Sequence, residues 1–333
     1  MRRVSAAALV LLVLTVACSA SPPGSSSTSS SAADGPTAPQ PSTSPTAASP
    51  SRTAASTPTP RATPRPAMNA RAALRDIVHL ASDIGPREAT SGNYAEAADF
   101  VQARFERLGY DVQRTKVPVP AGVSWGTPVR RGTSLNVIAE PKGFDSKQPH
   151  VVIGAHLDTV PVAPGAEDNA SGVAVMLQLA AMVSQQPAAL PVQFVAFGAE
   201  EPRGSGDALH HFGSRQHVAD LSRSERRAIQ AMVSLDRVGV RASYVPICSA
   251  ADRGIRLRGA IRTAARRAEI TTRACTNFTS DHWSYAKAGI PAVRFGGVPY
   301  AGYHSRGDVP SVVDRRQLDR VGRTLWAWLQ ALN

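Results

Sequence analysis

The sequence predicts an α/β fold, a single domain in which a central, mostly parallel mixed β-sheet is flanked by helices on both faces. Two observations predict it. Segments with the pattern of strands alternate with segments of helical periodicity over the last four-fifths of the chain. Three of the strand-like segments are also continuous apolar runs, which are typical of strands buried on both faces: "HVVIGAHLD", "PVQFVAFGAEE" and "AMVSLDRVG".

The first half of the domain begins with helices. A short amphipathic helix is predicted within 70–84, and a clearer one over Tyr94–Leu108, with Gly109 just past its end. "YDVQRTKVPV" and "SLNVIAEP" alternate as strands do. The strand "HVVIGAHLD" is followed by the helix "GVAVMLQLAAMVS" and then by the strand "PVQFVAFGAEE".

The second half continues the alternation. An Arg-rich amphipathic helix is predicted over 215–231, before the third central strand, "AMVSLDRVG". A helix over 253–269, a short strand "AVRFGG" and a terminal helix over Arg315–Leu332 follow. Helices that connect parallel strands must cover the sheet, so both faces are expected to be buried.

Residues 1–17 have the pattern of an export signal. Arg2 and Arg3 precede an apolar stretch that is too short to span a membrane as a permanent helix. The stretch ends in "LTVAC", which resembles a bacterial lipobox with Cys18 as the acylated residue, although Thr15 stands where the pattern prefers Leu. We therefore expect lipidation at Cys18, with a soluble secreted form as the alternative.

Residues 18–67 contain the lipidation site and a linker that is almost entirely Ser, Thr, Pro, Ala and Gly. Such a segment cannot bury enough apolar surface to offset its ordering entropy, so it is predicted to be disordered. Residues 68–333 remain for one domain with a substantial core. We expect a monomer, exported to the outer face of the cell membrane as a lipoprotein, or secreted.

The net charge and the cysteine content indicate which partners and which covalent links to expect. The formal net charge is +12, but no basic run is interleaved with aromatic residues and the signal exports the chain, so no nucleic-acid partner is expected. If Cys18 is acylated, Cys248 and Cys275 form the remaining pair of cysteines. A disulfide between them is predicted in an oxidising compartment, with two separate thiols as the alternative.

Acidic and imidazole side chains stand where the apolar strands end. In open α/β sheets the carboxyl ends of the strands share one edge, so these groups converge in space. Two adjacent buried glutamates also require a compensating cation or proton. Carboxylates and imidazoles together predict a site that binds divalent cations. The absence of thiolates argues against a structural zinc site. The residues are His156, Asp158, Glu200, Glu201 and Asp236, joined from neighbouring loops by Asp168 and His304.

The other histidines carry less weight. A single histidine outside such a cluster is more often a satisfied core or surface residue. Five are therefore predicted to be structural or exposed: His79, His150, His210, His211 and His217.

Six motifs, in order, resemble the co-catalytic dizinc aminopeptidases, the family with a bacterial leucyl aminopeptidase-like domain. They are "GAHLDTV", "GAEDNASG", "FGAEE", "SLDRVG", "SDHWSYAKAGIPAV" and "YHSRGD". The resemblance covers nearly all of residues 70–333 and implies the zinc exopeptidase fold, which is phosphorylase/hydrolase-like, with two Zn²⁺ ions. It also implies that peptides with a free N-terminus are the substrates.

The resemblance assigns the metal ligands residue by residue. It implies that one zinc ion is held by His156 and Asp236, that the other is held by Glu201 and His304, and that Asp168 bridges both.

The resemblance assigns the catalytic groups as well. It implies that Glu200 is the general base, activating a water that bridges the metals, and that the Tyr303 phenol donates to the oxyanion. Asp158 is the expected partner that orients His156. In the family the peptide bond after the bridging Asp, here Asp168-Asn169, is typically cis.

Some residues depart from the family pattern. Arg237 follows Asp236 where relatives often carry an apolar side chain, and Trp283 and Tyr285 follow the Ser-Asp-His element. These two aromatic residues are expected either to shape the pocket wall or to pack in the core. Ser280, Asp281 and His282 are predicted to support the site; a catalytic triad is disfavoured because no nucleophile-elbow motif is present.

The main functional prediction is an exported metallo-aminopeptidase. A single-zinc glutaminyl cyclase-like enzyme is one alternative, although that group typically lacks the first metal-binding histidine and His156 is present here. A non-catalytic binding domain on the same scaffold is another, but degenerate ligands would be expected there. A carboxypeptidase or other amidohydrolase specificity on the same site is a further possibility.

Overall fold

A central β-sheet organises the part of the chain that the computed structural model describes, residues 65–250 and 252–332. The predicted signal, Cys18 and nearly all of the predicted linker lie outside these residues. Within the described residues no helix is both long enough and apolar enough to cross a membrane.

Eight strands form this sheet in the order β1-β4-β6-β5-β7-β10-β8-β9, and β2 and β3 form a separate hairpin. The strands are β1 Asp111–Val119, β2 Gly122–Ser124, β3 Thr127–Val129, β4 Gly132–Glu140, β5 His150–His156, β6 Val192–Phe197, β7 Ile229–Leu235, β8 Val245–Ser249, β9 Thr272–Thr276 and β10 Ala292–Phe295.

The helices between them are α1 Ala70–Val78, α2 Gly92–Arg107, α3 Ser171–Gln185, α4 Phe212–Asp220, α5 Arg223–Ala228, α6 Asp252–Arg267, α7 His282–Lys287 and α8 Arg315–Leu329. Short π-helical turns extend α1 over His79–Ile84 and precede α3 over Ala166–Ala170. Single 3₁₀ turns occupy Asp207–Leu209 and Pro310–Val312.

The centre of the sheet is parallel and most of its flanks are antiparallel. β6, β5, β7 and β10 are parallel neighbours, whereas β1, β4 and β6 pair in antiparallel fashion and β8 runs antiparallel to β10. The prediction of a mostly parallel mixed sheet is therefore confirmed. The carboxyl ends of β5, β6 and β7 lie side by side, which brings the residues that follow them to one edge.

Two apolar layers cover the sheet. Val151 and Ile153 of β5 belong to the larger core cluster with α1, α2, α3, α6 and α8, whereas Val152 belongs to a second cluster with side chains of α4 and α7. Alternate residues of one strand thus face opposite layers, as the side-chain period of two requires. All seven residues of β5 are buried, which explains its continuous apolar run.

The predicted helix over 215–231 was wrong in one respect. Two helices, α4 and α5, occupy this stretch, and residues from Ile229 onward already belong to β7. The Ser222 hydroxyl accepts from the backbone N–H of Glu225, and the Glu225 carboxylate accepts from the backbone N–H of Ser222. This capping box starts a new helix and so ends the first one.

The strands β8 and β9, of which β9 forms one edge of the sheet, and the hairpin β2–β3 were not predicted, because these segments are too short to show a clear period. β8 and β9 are parallel, with Cys248 opposite Cys275, and the two cysteines are joined by a disulfide bond.

Candidate active site

A pocket of about 220 Å³ opens at the carboxyl edge of the sheet. Seven of the predicted site residues line it: His156, Asp168, Glu200, Glu201, Asp236, Tyr303 and His304. They come from five strand ends or loops that are far apart in sequence, and the topology alone brings them together. The eighth, Asp158, lies behind the pocket and is fully buried.

Asp168 lies between the two histidines of the cluster. Its Oδ1 is 3.1 Å from Nε2 of His156, and its Oδ2 is 3.0 Å from Nε2 of His304. Each histidine has a second carboxylate nearby: Oδ1 of Asp236 lies 4.0 Å from His156, and Oε2 of Glu201 lies 3.3 Å from His304. The five predicted ligands therefore form two groups that share one carboxylate.

The loop that carries Asp168 is held by a buried aspartate, Asp308. The Asp308 carboxylate accepts from the backbone N–H of Glu167 at 2.8 Å and from that of Asp168 at 3.0 Å. Asp308 ends the motif "YHSRGD", so one short loop supplies both His304 and the support for Asp168. No role had been predicted for Asp308, although its motif had been recognised.

Asn169 connects the same loop to the end of β7. Its amide donates to the Leu235 carbonyl at 2.8 Å, and its side-chain oxygen accepts from the backbone N–H of Arg237 at 3.2 Å. The Asp168-Asn169 peptide bond is cis, as expected. These bonds fix the position of Asp168 relative to Asp236.

Asp158 lies next to His156, the residue that it was expected to orient. His156 Nδ1 is closer to the Asp158 backbone carbonyl, at 3.1 Å, than to the carboxylate, at 3.8 Å. The carboxylate instead accepts from the backbone N–H groups of Glu200 and Glu201, both at 3.0 Å. Asp158 therefore links the turn after β5 to the Glu-Glu pair after β6, and its carbonyl directs Nε2 of His156 into the pocket.

The two adjacent glutamates occupy different electrostatic environments. Burial, together with the neighbouring charges of Asp168 and Glu200, raises the pKa of Glu201 to about 8. Burial acts in the same direction on Glu200, but the imidazoles of His156 and His211 outweigh it and lower its pKa to about 2. Buried Oε1 of Glu201 also has no hydrogen-bond partner within the described residues. A cation near Glu201 would compensate this carboxylate, whereas Glu200 is already stabilised as an anion.

His211 is a site residue that the sequence reasoning missed. It is buried, and its Nε2 lies 3.2 Å from Oε1 of Glu200. Its backbone N–H also donates to the Glu200 carbonyl at 2.9 Å. Ten residues separate the two in sequence, so neither helical nor strand spacing signals this contact. His210 lines the pocket as well, whereas His79 is an exposed partner of Asp83 and both His150 and His217 are buried outside the site.

An aromatic rim closes one side of the pocket. Trp125, at the turn between β2 and β3, packs edge-on against His304 with ring centroids 4.3 Å apart. Tyr303 stacks on His304 at 3.7 Å and lies beneath the Arg237 guanidinium, 4.3 Å away. The hairpin had not been predicted, so Trp125 had no place in the expected site. Its exposed indole and the half-exposed Tyr303 ring form a surface against which a substrate can pack.

The Ser-Asp-His element lies beneath the pocket and does not form a triad. The Ser280 hydroxyl bonds that of Ser234 at 3.0 Å, and Nε2 of His282 donates to the Asn277 carbonyl at 3.0 Å. Asp281 is fully buried beneath Glu200 and His211, and burial raises its pKa to about 7.

The two aromatic residues that follow this element differ. Tyr285 is fully buried in the core, and its hydroxyl is hydrogen-bonded to Nδ1 of His217 at 2.8 Å, whereas Trp283 packs against Phe278.

Comparison with known proteins agrees with this geometry. Residues 136–329 match the sequence model for peptidase family M28. Aminopeptidase YwaD of Bacillus subtilis (strain 168) is 34% identical over 168 residues, which are 49% of this chain and 35% of that protein. The probable lipoprotein aminopeptidase LpqL of Mycobacterium tuberculosis is 37% identical over 102 residues, 30% of this chain and 19% of that protein. The chain thus spans about a third or less of the length of these two curated relatives.

Solved structures share the fold. BSAP, a zinc aminopeptidase from Bacillus subtilis, superposes with a TM-score of 0.70 at 20% identity, over 80% of this chain and 96% of that one. Porphyromonas gingivalis glutaminyl cyclase superposes equally well, with a TM-score of 0.70 at 22% identity, over 79% of this chain and 98% of that one. One scaffold therefore carries both activities, and the fold alone does not choose between them.

Proposed function

Because the chain belongs to peptidase family M28, we propose that it is a zinc aminopeptidase that removes N-terminal residues from peptides and holds two zinc ions. One observation carries the proposal. The two oxygens of Asp168 lie 3.1 and 3.0 Å from Nε2 of His156 and His304, and each histidine has its own second carboxylate. This arrangement supports a carboxylate that is shared by two metal positions.

The residues present fit zinc. All of the donors are imidazole nitrogens or carboxylate oxygens, which zinc accepts. His156, Asp168 and Asp236 would hold one ion; Asp168, Glu201 and His304 would hold the other. Among the residues that the structure describes, the buried Oε1 of Glu201 has no hydrogen-bond partner, which supports the second position because a buried carboxylate oxygen without a partner is costly.

The chemistry follows from the same side chains. Zinc, when bound, polarises the scissile carbonyl and makes a nearby water more acidic. Glu200 takes the proton from the attacking water and returns it to the leaving amine. Its Oε1 is anchored by His211, and its place in the pocket wall directs the carboxylate to the reacting atoms. Burial raises the pKa of Tyr303 well above its ordinary value, so the phenol keeps the proton that it donates to the oxyanion.

A single-zinc glutaminyl cyclase is the second candidate, since a solved cyclase shares the fold. The presence of His156 beside Asp168 and Asp236 favours the two-metal enzyme, because a site for one metal ion does not require the His156 imidazole. The complete set of ligands also argues against a non-catalytic binding domain.

Zinc content and substrate chemistry test the proposal together. We expect about two zinc ions per chain by elemental analysis of the purified protein, and hydrolysis of leucine p-nitroanilide that is lost when the α-amine is acetylated. Glu201→Ala should lower the zinc content, whereas Asp319→Ala, an exposed change on α8, should leave it unaltered. One zinc ion with cyclisation of N-terminal glutamine would support the cyclase instead, and equal cleavage of free and acetylated substrates would exclude an aminopeptidase.

The same protein is proposed to act outside the cytoplasm, anchored through Cys18. The lipobox-like "LTVAC" and the export pattern of residues 1–17 support this, as does the similarity to a probable lipoprotein aminopeptidase of Mycobacterium tuberculosis. A peptide with a free N-terminus would then reach the enzyme from outside the cell.

A further inference from the structure

Two arginines converge on one oxygen of Asp236. Arg294 of β10 is buried, and its guanidinium NH2 lies 3.0 Å from Oδ1 of Asp236 and 3.4 Å from the Asp236 backbone carbonyl. Nε of Arg237 lies 3.6 Å from the same Oδ1. The side chains of Arg237 and Arg294 are 17% and 3% exposed, so solvent screens neither charge fully. Two positive charges thus face a single carboxylate.

The backbone fixes where these arginines point. Arg237 has a φ of 57°, in the left-handed region that non-glycine residues rarely adopt. Its carbonyl accepts from the N–H of Gly297 at 2.9 Å, and a Cβ on Gly296 would lie 2.3 Å from that carbonyl oxygen. The turn after β7 is therefore packed tightly against the turn after β10. Arg237 is held over Tyr303 at the pocket mouth, and Arg294 lines the pocket beneath it.

At this wall two guanidiniums face the single carboxylate of Asp236, and the charge of the nearby Asp168 also stabilises Arg237. Nε of Arg294 has no hydrogen-bond partner within the described residues, although it is buried. In the proposed function Asp236 and Asp168 both share their negative charge with cations, which leaves the two guanidiniums less compensated. Buried guanidinium groups without counter-charge are costly, and a planar guanidinium binds a carboxylate through two parallel hydrogen bonds.

The pocket limits what can supply that counter-charge. Its volume of about 220 Å³ is below the range of roughly 300–1,000 Å³ that is typical of sites for drug-sized ligands, so it suits a single amino-acid side chain. Trp125 and Tyr303 can cover the apolar part of such a side chain, and Arg237 and Arg294 line the same pocket.

We propose that Arg237 and Arg294 make this site selective for substrates that carry a carboxylate next to the scissile bond. The inference rests on the proposed hydrolysis and deepens it by naming the substrate class. Two kinds of peptide offer that carboxylate: one with an N-terminal Asp or Glu, and a dipeptide, whose C-terminal carboxylate follows directly after the cleaved bond.

Isosteric substrates test the selectivity. For the p-nitroanilides of Glu and Gln, which differ in charge but hardly in size, we expect kcat/KM to favour Glu by about 10- to 100-fold, the value of one hydrogen-bonded charge pair. A second comparison uses Leu-Gly, which has a free C-terminal carboxylate, and Leu-Gly-amide, in which that carboxylate is neutralised. Preference for Glu over Gln would assign the carboxylate to the N-terminal side chain, and preference for the free dipeptide over its amide would assign it to the C-terminus.

Variants connect the preference to the arginines. Arg237→Gln should reduce it at least about tenfold. Arg241→Gln is the matched control, because Arg241 is highly exposed and pairs with Asp314 outside the pocket, so the preference should persist. If Arg237→Gln folds poorly, Arg237→Lys serves instead. Lysine keeps the positive charge but cannot make the two parallel hydrogen bonds of a guanidinium, so the preference should fall only in part.

A binding measurement separates this inference from the proposed function. Isothermal titration calorimetry on the zinc-supplemented protein measures the affinity for glutamate and for glutamine. The affinities for Leu-Gly and Leu-Gly-amide are measured on the Glu200→Ala variant. Tighter binding of the carboxylate member of either pair by at least about tenfold supports the inference even if no p-nitroanilide is cleaved. Equal binding and equal kcat/KM within both pairs would overturn it while leaving cleavage of leucine p-nitroanilide, and so the peptidase, intact.

Discussion

Nε2 of His211 lies 3.2 Å from Oε1 of Glu200, and both side chains are buried at the wall of the pocket. The contact explains how two adjacent glutamates can differ. Glu200 has an imidazole that stabilises its anion, whereas Glu201 shares the His304 imidazole with Asp168. One carboxylate is therefore held ready to accept a proton and its neighbour is left to bind a cation.

Glu200→Gln should separate catalysis from metal binding. The amide keeps the shape of the side chain but cannot accept a proton, so kcat is expected to fall by about 10²–10⁴-fold. Zinc content should stay at the wild-type value, because Glu200 is not one of the proposed ligands. Elemental analysis beside steady-state kinetics measures both quantities. Full turnover in this variant would show that another group acts as the base.

His211→Leu should weaken catalysis through Glu200. Loss of one hydrogen bond to a charged group is worth about 1.5–3 kcal/mol, so kcat is expected to fall by about 10- to 100-fold. Removing the imidazole also removes an interaction that lowers the pKa of Glu200, so the acid limb of the kcat/KM profile should move to higher pH.

His211→Gln is the matched variant for this change, since its amide can still donate to Glu200. It should recover much of the lost activity, and His79→Gln on the surface should have no effect. If His211→Leu and His211→Gln were equally impaired at unchanged pH dependence, His211 would be a packing residue only.

Asp308→Ala should destabilise the fold whether or not metal is present. The change leaves the buried N–H groups of Glu167 and Asp168 without their acceptor, at about 1–3 kcal/mol each. Urea denaturation with and without EDTA measures the free energy of unfolding. Asp319→Ala, which removes an exposed pair with Arg323, should change it by less than about 0.5 kcal/mol. A loss seen only with zinc present would mean that Asp308 acts on the metal site and not on the fold.

The elements that were predicted from sequence are those with a strong local signal. Continuous apolar runs identified the central strands, and polar residues at their ends identified His156, Glu201 and Asp236, because strand order places those ends together. The loop ligands Asp168 and His304 were assigned by the resemblance of their motifs to the family. His211 and Arg294 could not be found in this way. Each depends on a loop conformation or a strand pairing that joins residues without any regular spacing, and Arg294 stands inside an apolar strand where its pocket face is not apparent.

The hairpin that carries Trp125 was missed for a related reason. Its strands have three residues each, which is too short to show alternation. The hairpin is positioned by tertiary contacts, including a hydrogen bond from the Val123 N–H to the Arg203 carbonyl at 3.2 Å. Likewise, the role of the Asp158 carboxylate depends on how the turns after β5 and β6 meet. The sequence motif therefore identified Asp158 but not the backbone N–H groups that its carboxylate binds.

Stability should fall below neutral pH through His217. This histidine is buried, and burial lowers its pKa to about 4 from an ordinary value of 6.5. The imidazole is therefore protonated near pH 6.5 in the unfolded chain but only near pH 4 in the folded state. The contribution is fully present above pH 6.5 and is lost as the pH falls toward 4, by roughly 3 kcal/mol.

His217→Phe isolates this contribution. Phe cannot titrate, but it leaves the Tyr285 hydroxyl without its partner, so the variant should be less stable than wild type at pH 7 by about 1–3 kcal/mol. The difference should shrink or reverse by pH 4. Urea denaturation of both proteins in EDTA at matched pH values measures the two curves, and parallel curves from pH 7 to 4 would contradict a depressed pKa at His217.

Cys18→Ser should release the protein from the membrane. An acyl group on Cys18 provides hydrophobic anchoring that no helix among the described residues can supply, so intact wild-type protein is expected in the detergent phase after phase partitioning. The serine variant should appear in the aqueous phase or the medium with unchanged specific activity, because the substitution lies outside the proposed catalytic domain. Thr15→Leu is the matched control: it restores the residue that the lipobox pattern prefers, so the acylated fraction should stay the same or rise. Mass spectrometry of the N-terminal peptide identifies the product in each case. Wild-type protein that is wholly soluble and begins at Ser19 without an acyl group would show that the export signal is cleaved in the ordinary way and that the enzyme is secreted.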